Sequence, residues 1–83
     1  MSEEKQDLTG LVESIVVPLV DHEDDVEIVS HEENGDIIIE ISVNEEDTGK
    51  IIGRQGRVIK SIRTLVRAAA SRNDMHVEVE IID

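Results

Sequence analysis

The chain has 83 residues, 39% of them hydrophobic, which suits one small domain spanning residues 1–83 and leaves no room for a second core. It has no cysteine, which excludes disulfides and zinc–thiolate sites, and no Phe, Trp or Tyr, so a core must be built mainly from Ile, Val and Leu. A net charge of −12 argues at first sight against a polyanionic partner.

The N-terminal segment predicts neither export nor membrane insertion. Residues 1–6 are polar and lack the basic start and the apolar run of a secretory signal. No apolar stretch in the chain approaches the roughly 20 residues of a membrane span. We therefore expect a cytoplasmic protein with no membrane partner, and we expect residues 1–6 to be disordered.

A first helix is predicted from Leu8 to about Leu19. The apolar residues in this stretch recur at i, i+3, i+4, i+7, i+8 and i+11, which marks one face of an α-helix. Asp7 is the predicted N-cap. Pro18, the only proline, removes one i−4 hydrogen bond, so the helix should kink or tighten near its end.

An acidic connector, residues 21–25, follows the first helix. Its spacing does not match the calcium loop D-x-[DN]-x-[DN]-G, so it is interpreted as a solvated turn. The three histidines are scattered and form no H-E-x-x-H pairing. The sequence therefore predicts no metal site, no cofactor and no catalytic residue.

Two strands joined by a tight turn are predicted next. Alternating apolar residues indicate one strand over residues 26–30 and another over residues 37–43. The pair Asn34-Gly35 between them is the strongest short-range hairpin signal, so the two strands should be antiparallel. Ile38 adds an apolar side chain to the second face of the later strand, which is typical of a central strand.

A short helix, a long helix and a last strand complete the chain. Asn44 offers an N-cap, and the acids after it offer a first turn, for a short helix ending at about Ile52. Residues 77–82 alternate as a strand. Between them, an inward-facing stripe predicts a long helix that ends at residues 72–74; its members are Val58, Ile59, Ile62, Leu65, Val66 and Ala69.

The element order α-β-β-α-α-β predicts an α+β, two-layer sandwich. If the two-helix excursion returns to the same sheet as a right-handed crossover, the last strand runs parallel to the second. The sheet is then three-stranded and mixed, in the order first–second–last, with three helices on one face.

The charges are distributed very unevenly along the sequence. Residues 1–49 carry 16 acids and one base, residues 50–72 carry seven bases and no acid, and residues 73–83 carry four acids. Because the Debye length is about 8 Å at physiological salt, a ligand on one face responds mainly to the local charge. The basic segment can therefore attract a polyanion despite the acidic total.

Two glycines three residues apart, Gly53 and Gly56, lie in this basic segment where the long helix begins. Glycine tolerates positive φ and lets another chain approach the backbone closely. The first N–H groups of a helix lack intrahelical partners and, with the helix dipole, attract anions. An ordinary helix C-cap and a tight turn would explain Gly53, but not Gly56 or the absence of acids. The pattern favours a site that holds a run of phosphates.

The segment Ile52-Gly53-Arg54-Gln55-Gly56-Arg57-Val58-Ile59 resembles the Ile-Gly-x-x-Gly-x-x-Ile signature of KH domains. The element order is similar to the type II, bacterial arrangement. L-x-x-L-V at residues 8–12 and V-P-L-V-D at residues 17–21 extend the resemblance, over nearly the whole chain, to the small single-KH-domain proteins of the KhpA family.

This resemblance implies binding of about four nucleotides of single-stranded RNA, with the Gly-x-x-Gly loop clamping the backbone. Phosphates would be met by Lys50, Arg57 and Lys60, while Ile51 and Ile52 would either line a groove for bases or pack beneath it. The RNA-binding residues implied by the resemblance are Lys50, Ile51, Ile52, Gly53, Arg54, Gln55, Gly56, Arg57 and Lys60.

The resemblance also implies partners and a role. It implies a homodimer and a heteromer with a Jag/KhpB-type KH-containing RNA-binding protein. The implied role is RNA chaperoning or post-transcriptional regulation linked to cell-wall homeostasis, cell length and division. Because the chain has no Phe, Tyr or Trp, no base can stack on one of these rings, which predicts weak binding per subunit.

Two other functions remain open from the sequence. A helix-turn-helix DNA reader also joins two helices by a Gly-containing turn, although the first helix here is short for it. A protein-interaction module, acting as a dimer or scaffold with a vestigial nucleic-acid site, is the main alternative. Enzyme activity is not expected, because the chain has no nucleophile arrangement, metal cluster or P-loop.

Overall fold

The computed structural model describes residues 2–82 of the chain and the side chains of residues 8–82. Its helices are α1 (Ser2–Val16), α2 (Thr48–Ile52) and α3 (Arg57–Ser71), and its strands are β1 (Glu27–Glu33), β2 (Asp36–Ser42) and β3 (Val77–Ile82). Single 3-10 turns lie at Val17–Leu19, Glu23–Asp25 and Arg54–Gly56. The predicted element order is confirmed.

The N-terminal helix is longer than the sequence pattern predicts. Because α1 begins at Ser2, the prediction of Asp7 as its N-cap is wrong. The segment predicted to be disordered overlaps the helix at residues 2–6, and Met1 lies outside the described residues. The effect predicted for Pro18 is confirmed, since α1 ends at Val16 and a tighter 3-10 turn follows at once.

The sheet has the order β1-β2-β3. β1 and β2 are antiparallel, and β3 is parallel to β2, both as predicted. The hairpin turn is the two residues Asn34 and Gly35, whose φ angles are 53° and 87°. Positive φ at both positions matches the right-handed twist of the flanking strands, which is why Asn-Gly is favoured there.

One face of the sheet carries the core and is covered by the helices. Its central strand places Ile37, Ile39 and Ile41 inward, all at most 2% exposed. Helix α1 and the turn after it contribute four buried residues, α2 contributes one and α3 contributes four: Leu8, Val12, Val16, Val20, Ile51, Ile59, Ile62, Val66 and Ala70. Burial of this aliphatic surface is the main force that brings the two layers together.

Two residues of the predicted apolar stripes lie largely outside the core. Leu65 is 54% exposed and Leu19 is 39% exposed. The buried residues of α3 fall at 59, 62, 66 and 70, so Leu65 lies on the flank of the buried stripe rather than at its centre. Leu19 follows the end of α1, where the 3-10 turn changes the angular spacing of side chains.

Within residues 2–82, no helix combines the length and the apolar character needed to cross a bilayer. Among the same residues, no group of three or more His, Asp or Glu side chains is placed to hold a metal ion.

Candidate nucleic-acid interface

The two glycines of the basic segment shape a sharp turn between α2 and α3. Gly53 ends α2 with φ 76° and ψ 173°, a backbone conformation that is essentially restricted to glycine. One 3-10 turn follows, closed by the N–H of Gly56, which donates to the carbonyl of Gly53 at 3.1 Å. Gln55 and Gly56 both have left-handed φ, 58° and 74°, before α3 begins at Arg57.

The two glycines are required for different reasons. A Cβ on Gly53 would lie 2.4 Å from Cγ2 of Val58 and 2.9 Å from the backbone N of Val58. A Cβ on Gly56 would meet only Cε of Lys60, at 4.0 Å. The first glycine therefore lets α2 pack against the start of α3, whereas the backbone of the second is open to an incoming chain.

The N-terminus of α3 faces this turn without a side-chain cap. No side chain of the N-cap residue Gly56 can bond there, and the N–H of Arg57 donates to the carbonyl of Arg54. The next N–H groups of a helix start have no intrahelical acceptor. With the positive end of the dipole of a 15-residue helix behind them, these donors favour an anion.

Cationic side chains surround the turn on its exposed side. Arg54, Arg57 and Lys60 are exposed, and none of them forms an ion pair with a carboxylate in the described part of the chain. Nη2 of Arg57 lies 3.5 Å from Oε1 of Gln55, so these two neighbours share one side of the loop. The turn thus presents three uncompensated cations beside open backbone.

Three other bases of the segment are held by the protein itself. Nε of Arg63 donates to the carbonyl of Val79 at 3.1 Å, and Arg67 pairs with Glu78 at 3.4 Å. Both contacts tie α3 to β3, away from the turn. Lys50 donates to the carboxylates of Asp21 and Asp47.

The structure brings most of the nine residues predicted to contact RNA to the surface of one turn. The side chain of Ile51 is fully buried in the hydrophobic core, while Ile52 beside it is 38% exposed. Lys50 lies at the same turn but with its ammonium directed to two carboxylates. Contact with RNA stays a prediction for all nine.

No pattern in the sequence singles out Asp47, the one buried charged residue in the described part of the chain. Its carboxylate accepts hydrogen bonds from the N–H groups of Asp21 at 3.1 Å and His22 at 3.0 Å, and from the ammonium of Lys50 at 3.1 Å.

Asp47 is also the N-cap residue of α2, so the prediction that the acids after Asn44 fill the first helical turn is wrong. Those acids lie in a turn before α2, where Oδ1 of Asn44 accepts the N–H of Glu46 at 2.8 Å.

These contacts change the ionisation of Asp47 and Lys50. Burial alone would raise the pKa of Asp47, but the amides of Asp21 and His22 and the ammonium of Lys50 outweigh it and lower that pKa below its ordinary value of 3.8. The hydrogen bonds to Asp21 and Asp47 raise the pKa of Lys50 above 10.5.

The lowered pKa of Asp47 predicts a specific acid sensitivity. A carboxyl whose pKa is lower in the folded state adds stability above pH 3.8 and loses it as the pH falls through the folded value. We therefore expect Asp47→Asn to be less stable than the unmodified protein at pH 7, with a smaller further loss between pH 5 and pH 3. Urea unfolding at these pH values measures both. Substitution of the exposed Glu13 by Gln, which also removes one carboxylate, is the control and should keep the stability of the unmodified protein at pH 7.

Comparison with known proteins gives a consistent result. The sequence model of one family, described as the KH domain of KhpA/KhpB, matches residues 9–81. The RNA-binding protein KhpA of Listeria monocytogenes is 49% identical over 73 residues, which are 88% of this chain and 96% of the relative. Its namesake in Bacillus subtilis is 46% identical over 78 residues, covering 94% of this chain and 96% of the relative. The RNA-binding protein KhpA of Caldanaerobacter subterraneus is 50% identical over 72 residues, which are 87% of this chain and 96% of the relative.

Proposed function

The chain belongs to the KhpA/KhpB KH-domain family, and on that premise we propose that it binds single-stranded RNA at the turn between α2 and α3. The observation that carries the proposal is the combination of an open backbone at Gly56 with three uncompensated cations around it. The family relatives are named as RNA-binding proteins and not as enzymes, which agrees with a function in binding.

In this proposal the backbone of the RNA crosses the turn. Gly53 and Gly56 allow the close approach, and the uncapped start of α3 offers N–H donors to a phosphate. Arg54, Arg57 and Lys60 are placed to neutralise neighbouring phosphates. The half-exposed side chain of Ile52 is the nearest apolar surface for a base, and Gln55 can hydrogen-bond to RNA beside it.

Affinity per subunit is expected to be modest. The chain has no Phe, Tyr or Trp ring on which a base could stack, and such stacking contributes roughly 1–3 kcal/mol per base in other proteins. A second copy of the domain would compensate through effective concentration. We accordingly propose that the protein acts as a homodimer, with the exposed Leu65 of α3 as a candidate contact, and with a KhpB-type protein as a further partner.

The physiological part of the proposal follows the family resemblance. We propose that the protein is a single KH domain located in the cytoplasm. There it would act as an RNA chaperone or post-transcriptional regulator. Its targets would be transcripts connected with cell-wall homeostasis, cell length and division.

Salt dependence tests the proposed contact. Each phosphate contact on a single strand contributes about −0.7 to the slope of log K against log salt, so three cations predict a slope of about −2. Affinity for a short oligoribonucleotide should then fall roughly 15- to 20-fold between 50 and 200 mM salt. Fluorescence anisotropy at several salt concentrations measures the slope, and amide chemical shifts locate the contact. A flat salt response, or unshifted amides from Gly53 to Arg57, would contradict the proposal.

A further inference from the structure

Lys50 is placed in the basic segment by the sequence but is neutralised in the fold. Its ammonium donates to the exposed carboxylate of Asp21 and, at 3.1 Å, to the buried carboxylate of Asp47. Two negative partners on one ammonium leave no net positive charge at that point. A phosphate at Lys50 would also have to displace a carboxylate.

The same contacts join two distant parts of the chain. Asp47 accepts the backbone N–H groups of Asp21 and His22, 26 and 25 residues away in sequence. We call the group formed by Asp21, His22, Asp47 and Lys50 the Asp47 clasp. It connects the segment that follows α1 to the N-terminus of α2. A contact between the ring Nε2 of His22 and Oε1 of Glu46, at 2.9 Å, reinforces it.

Helix α2 depends on such outside support. It has five residues, too few for a helix to be stable by itself, and Ile51 is its only buried residue. At 1.5 Å per residue the helix spans only about 7 Å, so the clasp at its N-terminus lies close to Gly53 at its C-terminus. Gly53 in turn packs against Val58 with no room for a methyl group. The clasp therefore fixes one end of a short rigid unit whose other end forms the turn.

We propose that Lys50 and Asp47 are positioning residues of the RNA site, and that Lys50 holds α2 in place rather than binding a phosphate. The inference rests on the proposed function, since it concerns the same turn. It assigns the phosphate contacts to Arg54, Arg57 and Lys60 and gives Lys50 an indirect part.

The test compares Lys50→Met with Lys60→Met, since methionine keeps most of the side-chain length and removes the charge. We expect Lys50→Met to bind an oligoribonucleotide roughly fivefold more weakly at every salt concentration, the lower end of the range for coupling between sites. Its slope of log K against log salt should equal that of the unmodified protein. The slope for Lys60→Met should be less steep by about 0.7, from about −2 to about −1.4, because the substitution removes one phosphate contact.

A second measurement separates positioning from a general loss of stability. In the absence of RNA, Lys50→Met should shift the amide resonances of Gly53 and Gly56. Val79→Ala changes a buried residue of β3 and should lower the free energy of unfolding at least as much as Lys50→Met does. It should nevertheless leave the Gly53 and Gly56 resonances and the RNA affinity unchanged.

The outcomes are distinguishable. A slope reduced in Lys50→Met as much as in Lys60→Met would make Lys50 a phosphate ligand and overturn the inference alone. Unchanged affinity in Lys50→Met, or unshifted resonances at the turn, would overturn it as well. Absence of RNA binding by the unmodified protein at low salt would overturn the proposed function and this inference with it.

Discussion

Replacing Arg54 and Gln55 together by Asp is expected to lower the affinity for single-stranded RNA by at least about tenfold. The double change alters the charge of the exposed turn by three units, removing one cation and adding two carboxylates where phosphates would lie. The fold should tolerate it, since Gln55 has φ 58°, a region that Asp adopts more readily than most residues. Anisotropy titrations at 50 mM salt, with circular dichroism to verify folding, measure the effect.

A matched control is available at the other end of α3. Arg72→Asp with Asn73→Asp produces the same change in net charge at exposed positions at the end of the helix. If affinity depends on the turn, this control should retain most of its RNA binding. Equal losses in the two double variants would show that overall charge, rather than the turn, governs binding. Unchanged binding in the Arg54 and Gln55 variant would favour a protein-interaction module with a vestigial site.

Gly53→Ala is expected to destabilise the fold by about 3 kcal/mol. A conformation restricted to glycine costs about 1–3 kcal/mol when a side chain is forced into it, and overpacking adds about 1–3 kcal/mol. The overpacking arises because the new Cβ would lie 2.4 Å from Cγ2 of Val58 and 2.9 Å from its backbone N, which cannot move without moving α3. In a chain of this size the loss should lower Tm by roughly 12–24 °C. Thermal and urea unfolding measure it.

Two other glycines serve as controls for that prediction. Gly56→Ala should cost only about 1–2 kcal/mol, the strain of a left-handed residue, because its Cβ would meet nothing closer than Cε of Lys60 at 4.0 Å. Gly49→Ala, inside α2 with nothing within 4 Å, should be neutral or stabilising by about 0.5–1 kcal/mol. A Gly53→Ala protein as stable as Gly49→Ala would mean that α2 and α3 are not packed as described.

Local patterns in the sequence were sufficient for the elements and their order. The Asn34-Gly35 turn was predictable because two consecutive positive φ angles are needed there and few residue pairs accept them. The parallel pairing of β3 with β2 followed from the two helices between them, since such a crossover returns in the same direction. The turn at Gly53 and Gly56 was predictable from residue type, because glycine is favoured where the backbone has positive φ.

Contacts between distant residues were not predictable. Asp47 gives no local signal, because acids near the start of a short helix are common, yet here it accepts two amides about 25 residues away. In the sequence, Lys50 cannot be told apart from the other cations of the basic segment. Only the structure shows its two carboxylate partners. Likewise, Arg63 reads as a surface residue but donates to a carbonyl of β3.

The α+β architecture, the aliphatic core and the basic glycine turn could therefore be predicted from the sequence, because periodicity, turn residues and charge runs are local properties of the chain. Which cations of the basic segment are free depends on the packing of the folded chain. Three of its seven cations have partners: Lys50 bonds to Asp21 and Asp47, and Arg63 and Arg67 bond to groups on β3. The other four have no such partner among the described residues. Charge neutralisation depends on distance in space, and sequence spacing does not fix that distance until the layers have packed.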